Sequence, residues 1–254
     1  MILKVAGCYG SELPGYHSAG FLVNGRLLLE AGTATSVLSW EEQIAVTEVL
    51  VSHMHLDHVK DLAFLVDNRV GKAPRPLTVT GVADVVAGLR HDLFNDRIWP
   101  DFTRIPSRSA PTLAYRVIPE GRYSRICGLS VKPVRVNHPA PATGYIIREP
   151  GVSVLYSGDT GPTTAIWKAA RNLRDLRAVI VECSFPSSMA DIAQASGHLT
   201  PALLERELER FGRPEVPVYL YHMKPLHLSA IAEELAGLSR PVEMFHQGRT
   251  YTFS

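Results

Sequence analysis

The chain has 254 residues, of which 46% are hydrophobic and 20% are charged, as is typical of a folded globular protein. Its formal net charge of +1 provides no electrostatic footprint for nucleic acid or an anionic membrane, and no apolar stretch reaches the ~18 residues of a membrane span. The three cysteines form no CxxC pair, which argues against a disulfide scaffold and favours a reducing compartment. We therefore expect a cytoplasmic protein with a single domain over residues 1–254.

The predicted elements alternate between strands and helices. Apolar runs predict strands at residues 2–6, 21–23, 27–29, 47–51, 77–79, 129–136, 143–148, 152–156, 178–182, 216–221 and 242–246. Helical spacing predicts helices at residues 81–90, 201–211 and 228–237, with Thr200 as the N-cap and Pro201 in the first turn of the second. Residues 94–111 are expected to be irregular. Together these elements indicate an α/β protein.

The densest group of candidate ligands lies at residues 53–58, directly after an apolar run. In an extended segment alternate residues share a face, so His53 and His55 can point at one cation. Asp57 and His58 can then reach a neighbouring cation. Imidazole nitrogen and carboxylate oxygen are ligands that zinc and similar cations accept. The spacing therefore predicts a metal site.

Three further candidate ligands, His138, Asp159 and His222, each follow a predicted strand. A ligand at a strand end is held by a rigid sheet and stays open to substrate. Seven ligands are too many for one tetrahedral zinc. They suit two ions about 3.5–4 Å apart that share a carboxylate and a water.

Residues 53–58 resemble the HxHxDH signature of the metallo-β-lactamase superfamily, and the order of the later ligands is similar to it. Residues 181–186 (VECSFP), 197–201 (GHLTP) and 222–225 (HMKP) closely resemble class II 3′,5′-cyclic nucleotide phosphodiesterases within that superfamily, and residues 92–95 and 98–102 also resemble them. The resemblance implies a four-layer αββα sandwich. One departure is Asp61, where the superfamily usually has a glycine.

The resemblance also implies which residues bind metal and which catalyse. One ion would be bound by His53, His55 and His138, the other by Asp57, His58 and His222, with Asp159 as the bridge. It implies two zinc ions, although manganese or iron can use similar ligands. The implied catalytic residues are Asp57, Glu182 and His198. Lys224 and Asn137, close to ligands in the sequence, are candidates for substrate binding.

These residues suggest a mechanism for phosphodiester hydrolysis. A water shared by two cations loses its proton near neutral pH, and the cations offset charge on the phosphate. We expect in-line attack on a cyclic phosphate, such as that of cyclic AMP or cyclic GMP. The resemblance implies cleavage of the 3′ P–O bond to give a nucleoside 5′-monophosphate. His198 would protonate the 3′ oxygen, and Glu182 would orient its ring and favour the imidazolium.

Three alternatives remain open from the sequence. The first is a tRNA 3′-processing endonuclease of the same superfamily, which the near-neutral charge and the lack of a basic, Gly-rich arm disfavour. The second is a hydrolase of another ester, such as a lactone, thioester or alkyl sulfate. The third is a protein that only binds metal or a nucleotide. We expect a small cyclic nucleotide as the partner, with no nucleic acid or membrane, and a homodimer is possible.

Overall fold

The computed structural model describes all 254 residues and contains sixteen strands and eight α-helices. The strands are β1 (Ile2–Gly7), β2 (Gly20–Val23), β3 (Leu27–Leu29), β4 (Glu48–Leu50), β5 (Leu77–Gly81), β6 (Pro106–Ser107), β7 (Ala110–Pro111), β8 (Leu113–Val117), β9 (Ser124–Ile126), β10 (Leu129–Arg135), β11 (Thr143–Glu149), β12 (Val152–Tyr156), β13 (Leu176–Glu182), β14 (Val218–Tyr221), β15 (Glu243–Met244) and β16 (Thr250–Thr252). The helices are α1 (Trp40–Ala45), α2 (Leu56–Val59), α3 (Leu62–Asp67), α4 (Ala83–Gly88), α5 (Ala165–Arg171), α6 (Ala190–Ser196), α7 (Pro201–Phe211) and α8 (Leu228–Ala236). None of these helices is long and apolar enough to cross a membrane.

Fourteen of the strands form two seven-stranded sheets, and β6 and β7 form a separate hairpin. The first sheet has the order β16-β1-β2-β3-β4-β5-β8, and the second has the order β15-β14-β13-β12-β11-β10-β9. In the second sheet, β12, β13 and β14 are parallel, while β11 is antiparallel to both β10 and β12. The carboxyl ends of β10, β12, β13 and β14 therefore lie at the same edge of this sheet.

Alternation along the strands divides the apolar residues among three layers of core. In β13, Ala178 and Ile180 pack between the sheets, whereas Val179 and Val181 pack on the outer, helix-covered face. In the first sheet, Leu28 of β3 likewise faces outward. Successive side chains of a strand point to opposite faces, so each sheet buries both of its faces. The predicted four-layer αββα sandwich is confirmed.

Several predicted elements agree closely with the structure. Helix α7 has the predicted bounds, and the Thr200 side chain accepts a hydrogen bond from the Leu203 backbone N–H at 3.3 Å. Strands β3 and β12 also match their predicted residues. The helix predicted at 81–90 is shorter, because α4 ends at Gly88 and a single π-helical turn, Leu89–Leu93, follows.

The prediction missed other elements, including α1, α3, α5, α6 and β8. For α1 the sequence did contain a signal. The Ser39 side chain accepts from the Glu42 backbone N–H at 3.3 Å, and the Glu42 carboxylate accepts from the Ser39 N–H at 2.9 Å. This is a capping box, which the S-x-x-E spacing identifies. Residues 94–111, predicted to be irregular, contain the β6–β7 hairpin.

The turn after His58 accommodates Asp61 without strain. Asp61 has φ −80°, in the right-handed region that any residue adopts, so no glycine is required. Its Oδ2 accepts hydrogen bonds from the Ala34 N–H at 2.7 Å, the Thr35 N–H at 2.9 Å and the Thr35 hydroxyl at 3.0 Å. Asp61 therefore connects the segment after His58 to the loop that follows β3.

Replacing Asp61 by glycine, the usual superfamily residue, should destabilise this protein. Three donors lose a charged acceptor, and hydrogen bonds to charged groups contribute roughly 1.5–3 kcal/mol each at most. We expect the free energy of unfolding to fall by about 2 kcal/mol or more in urea denaturation. Asp67→Gly, at the exposed end of α3, is the control and should cost about 1 kcal/mol or less. Equal losses in the two variants would contradict a specific role for Asp61.

Candidate metal centre and active site

Residues 53–58 fold in two parts, which separate the four candidate ligands. Strand β4 ends at Leu50, and His55 is extended, with φ −64° and ψ 146°. Helix α2 begins at the next residue and carries Asp57 and His58. The two later ligands are therefore presented by a helical turn, whereas His53 and His55 are presented by the segment that joins the strand to it.

The second sheet and its loops supply the remaining candidates. His138 follows β10, Asp159 follows β12 and His222 directly follows β14. Glu182 is the last residue of β13, and His198 lies between α6 and α7. Because the carboxyl ends of these strands share one edge of the sheet, their polar residues meet the 53–58 segment there.

The seven candidate ligands form two groups, and His222 also belongs to a third group with Glu182 and His198; within each group the potential ligand atoms lie within 4.8 Å of one another. One group is His53, His55 and His138, and the other is Asp57, His58, Asp159 and His222. Asp159 lies between the groups, because its Oδ2 is 3.6 Å from His53 Nε2 and 3.0 Å from His222 Nε2. The structure thus brings all seven candidates together.

Buried polar atoms that lack a hydrogen-bond partner indicate whether these residues fit a cation. His53 Nε2 and both carboxylate oxygens of Asp159 are buried and make no hydrogen bond within the protein. A buried polar atom without a hydrogen bond is costly unless a partner compensates for it. Imidazole and carboxylate groups are the donors that zinc and related divalent cations use. The residues therefore fit a divalent cation.

Three of the five imidazoles hydrogen-bond to a protein group through the nitrogen that faces away from the cluster, and the corresponding nitrogen of His58 lies within ion-pair distance of a carboxylate without a hydrogen bond. These contacts are Ser52 Oγ with His53 Nδ1 at 2.9 Å, Glu30 Oε2 with His58 Nδ1 at 3.4 Å, the Gly197 carbonyl with His138 Nδ1 at 3.0 Å and Ser184 Oγ with His222 Nδ1 at 2.9 Å. Such partners orient metal-binding histidines and tune their basicity. Sequence analysis missed Glu30, Ser52 and Ser184, and only Glu30 had a signal, a carboxylate at a strand end.

Glu30 is fully buried and has φ +61°, a left-handed conformation that is uncommon for a residue other than glycine. Its carboxylate also accepts from the Ser52 backbone N–H, with oxygen–nitrogen distances of 3.2 and 3.3 Å. Such backbone strain concentrates at functional sites. Glu30 thereby links β3 to the segment that carries His53.

The electrostatic environment differs among the candidate imidazoles. Burial by itself lowers the pKa of His58, but the charges of Asp159 and Glu30 outweigh burial and raise this pKa well above its usual value. Burial lowers the pKa of His53 well below its usual value, and the neighbouring His58 adds to the effect. Burial likewise lowers the pKa of His55 and of His138. Neutral imidazoles are the form that binds metal. These three candidate ligands therefore need no deprotonation at neutral pH.

The carboxylate at the centre of the cluster stays charged. Burial alone would raise the pKa of Asp159, but the adjacent His222 and His58 outweigh it and hold this pKa well below its usual value. Burial also opposes ionisation of Asp57, whose pKa is nevertheless lowered by the hydrogen bond with His222. Both carboxylates are therefore in the form that binds a cation.

Glu182 and His198 form a hydrogen-bonded pair beside the cluster. His198 Nδ1 lies 2.8 Å from Glu182 Oε1, which also accepts from the Thr160 N–H at 2.9 Å. Glu182 Oε2 accepts from the Ser184 hydroxyl at 2.8 Å and the Leu199 N–H at 3.3 Å. Four donors therefore hold this fully buried carboxylate in place. The His198 ring is thus oriented with its Nε2 left for another partner.

The position of His198 suits proton transfer. Its ring stacks on that of His222, with centroids 5.1 Å apart, and lies 5.3 Å from that of His138. Burial by itself lowers the pKa of His198, but the charge of Glu182 and its hydrogen bond outweigh burial and raise this pKa. His198 can therefore carry a proton next to the candidate metal ligands.

Lys224 and Asn137 both have protein partners. Lys224 Nζ donates to the Gly10 carbonyl and lies 5.9 Å from the centroid of the Phe185 ring. The exposed Asn137 side chain donates to the Pro162 carbonyl at 3.0 Å. Their roles as substrate-binding residues stay predictions.

The fold and the site define a metal-dependent hydrolase with the metallo-β-lactamase fold. The structure is similar to that of unliganded yeast PDE1, with a TM-score of 0.83, 19% identity and 98% of each chain covered. It is also similar to the metallo-β-lactamase fold protein YhfI from Bacillus subtilis, with a TM-score of 0.79, 18% identity and 99% of each chain covered. At these identities the likeness establishes the fold.

Residues 31–225 match the model of the family described as cAMP phosphodiesterases class-II, and the chain belongs to this family. It is 30% identical over 243 residues to a probable 3′,5′-cyclic-nucleotide phosphodiesterase of Yersinia pestis, covering 85% of this chain and 68% of the relative. It is 26% identical over 228 residues to a 3′,5′-cyclic-nucleotide phosphodiesterase of Schizosaccharomyces pombe, covering 75% and 62%. A ribonuclease Z of Methanosarcina acetivorans is 26% identical over 199 residues, covering 62% and 64%.

Proposed function

We propose that the protein hydrolyses 3′,5′-cyclic nucleotides, cyclic AMP or cyclic GMP, to nucleoside 5′-monophosphates, using two divalent cations. The observation that carries this proposal is the Glu182–His198 pair, whose imidazole lies against two groups of candidate ligands. Phosphodiester cleavage needs both a stabilised phosphate charge and a proton for the leaving oxygen. The arrangement supplies residues for both requirements.

The seven candidate ligands would hold the two cations, of which zinc fits the donor set well. His53, His55 and His138 would bind one, Asp57, His58 and His222 would bind the other, and Asp159 would be shared. When bound, such cations lower the pKa of water and offset the negative charge of phosphate oxygens. Serine, glutamate and backbone partners would keep the imidazoles in the required orientation.

His198 and Glu182 would protonate the leaving group. In the imidazolium form, His198 keeps its Nδ1–H on Glu182 and donates the Nε2 proton to the ribose 3′ oxygen, as the oxygen of a water bonds to phosphorus and the 3′ P–O bond breaks. Glu182 favours this charged form and prevents rotation of the ring. Such general acid assistance typically contributes roughly 10²–10⁴ in rate.

A second candidate is a tRNA 3′-processing endonuclease, which the similarity to a ribonuclease Z favours. A polyanionic substrate requires extended positive charge on the enzyme. This chain has a formal net charge of +1, which favours the smaller substrate.

Incubating the metal-replete protein separately with cyclic AMP, cyclic GMP and a precursor tRNA tests the proposal. We expect a nucleoside 5′-monophosphate from at least one cyclic nucleotide, no tRNA cleavage and two metal ions per chain in the same preparation. The metal-free protein is the control. Cleavage of the tRNA alone would indicate the endonuclease, and a 3′-monophosphate product would contradict the assigned bond. Binding of cyclic nucleotide without turnover over hours would indicate a binding protein.

A further inference from the structure

The backbone of His222 has an uncommon conformation for a candidate metal ligand. His222 has φ +70°, in the left-handed region, and its side chain is almost completely buried. For a residue other than glycine this conformation is unfavourable and persists only when neighbouring structure imposes it. The groups that hold His222 therefore determine where its imidazole lies.

The segment Cys8–Gly10, which follows β1 of the first sheet, supplies part of this support. The His222 N–H donates to the Cys8 carbonyl at 2.6 Å, and the Gly10 N–H donates to the Met223 carbonyl at 3.2 Å. Tyr9 and Met223 also form a parallel β-bridge. A candidate ligand of the second sheet is thus hydrogen-bonded to a loop of the first.

Gly10 lies against His222 so closely that no side chain fits. A Cβ atom at Gly10 would lie 2.4 Å from the His222 carbonyl oxygen and 2.6 Å from His222 Nδ1. Real Cβ contacts essentially never fall below 3.0 Å. Any larger residue at position 10 would have to displace the imidazole or the segment itself.

Lys224 hydrogen-bonds to both Gly10 and Ser184, which contact the His222 ring. Its ammonium donates to the Gly10 carbonyl, and its backbone N–H donates to the Ser184 carbonyl at 3.1 Å. The Ser184 hydroxyl in turn lies 2.9 Å from His222 Nδ1. Lys224 therefore connects both groups that lie against the His222 ring.

We propose that the Cys8–Gly10 segment and Lys224 set the position of His222. Through His222 they would set the affinity for the cation that Asp57, His58 and His222 bind. Lys224 is then a positioning residue, and its ammonium is engaged by Gly10 instead of by the substrate phosphate. This inference rests on the proposed two-cation function. The sequence analysis instead predicts that Lys224 binds the substrate.

Zinc titration of the metal-free protein, in competition with a chromogenic chelator, tests this inference. We expect two zinc ions to bind the natural chain. In Gly10→Ala and Lys224→Met, one should bind as before and the other about 10–100-fold more weakly, as is typical when partners of metal ligands are lost. At saturating zinc, the KM for cyclic AMP should not change. Lys224→Arg, which keeps a cationic donor, should recover part of the lost affinity.

Two controls separate local effects from general ones. Gly237→Ala introduces a Cβ whose nearest neighbour lies at an ordinary 3.5 Å, at the end of α8. Lys168→Met removes an exposed lysine in α5. Both should bind two zinc ions as the natural chain does. If Gly10→Ala does not fold, the zinc titration of Lys224→Met tests the inference by itself.

Unchanged affinity for both zinc ions in Gly10→Ala and Lys224→Met would overturn the inference. A raised KM in Lys224→Met with unchanged zinc binding would also overturn it, because Lys224 would then contact the substrate. The titration itself needs no turnover. Two-zinc binding without cyclic nucleotide hydrolysis would therefore contradict the proposed function alone. A natural chain that binds one zinc would contradict both.

Discussion

Replacing His198 by alanine should lower kcat for cyclic AMP by about 10²–10⁴ while two metal ions remain bound. The reason is that the 3′ alkoxide is a poor leaving group, and His198 is the imidazole that Glu182 orients beside the ligands. Steady-state kinetics and metal analysis on one preparation measure the two quantities. His91→Ala is the matched control, because the His91 side chain is 88% exposed, and it should retain normal turnover.

A substrate with a better leaving group separates proton donation from other roles of His198. Bis(4-nitrophenyl) phosphate releases 4-nitrophenolate, which needs little protonation. If His198 acts as the general acid, the alanine variant should lose far less activity on this substrate than on cyclic AMP. An equal loss on both substrates would contradict proton donation, and a fall in metal content would assign His198 to metal binding.

Replacing Asp159 by asparagine should remove both metal ions. Its carboxylate lies within 3.6 Å of imidazoles from both groups of candidate ligands, and neither oxygen has a hydrogen-bond partner in the protein. Asparagine has nearly the same shape but no charge, and it can direct an N–H toward the cations. We expect the loss of zinc affinity to exceed the roughly 10–100-fold that is typical of outer partners.

Thermal unfolding with and without zinc provides a second measurement for Asp159→Asn. A ligand that binds only the folded state stabilises it by about 2.7 kcal/mol at a free concentration of 100 Kd. The natural chain should show such stabilisation, and the variant should show little at the same zinc concentration. Asp84→Asn, at an exposed site in α4, is the control and should respond as the natural chain does. Retention of two tightly bound zinc ions by Asp159→Asn would contradict its bridging role.

Much of the fold and many of the candidate ligands could be predicted from local sequence. The bounds of α7 follow from Thr200 and Pro201, because capping and the fixed φ of proline act over a few residues. The strands that precede His138, Asp159 and His222 follow from apolar runs. Helix α1 was not predicted, although the sequence contains its capping box.

The sequence by itself determined the donor atoms, their local spacing and the strand ends that present them, because these depend on neighbouring residues. Only the tertiary structure decided which of them meet. His58 and His222 are 164 positions apart, yet their Nε2 atoms lie 3.2 Å from each other. The contact of Lys224 with Gly10 spans 214 positions, and no local pattern indicates it. Such contacts arise because two sheets pack face to face and bring their loops to one edge, which is a property of the whole fold.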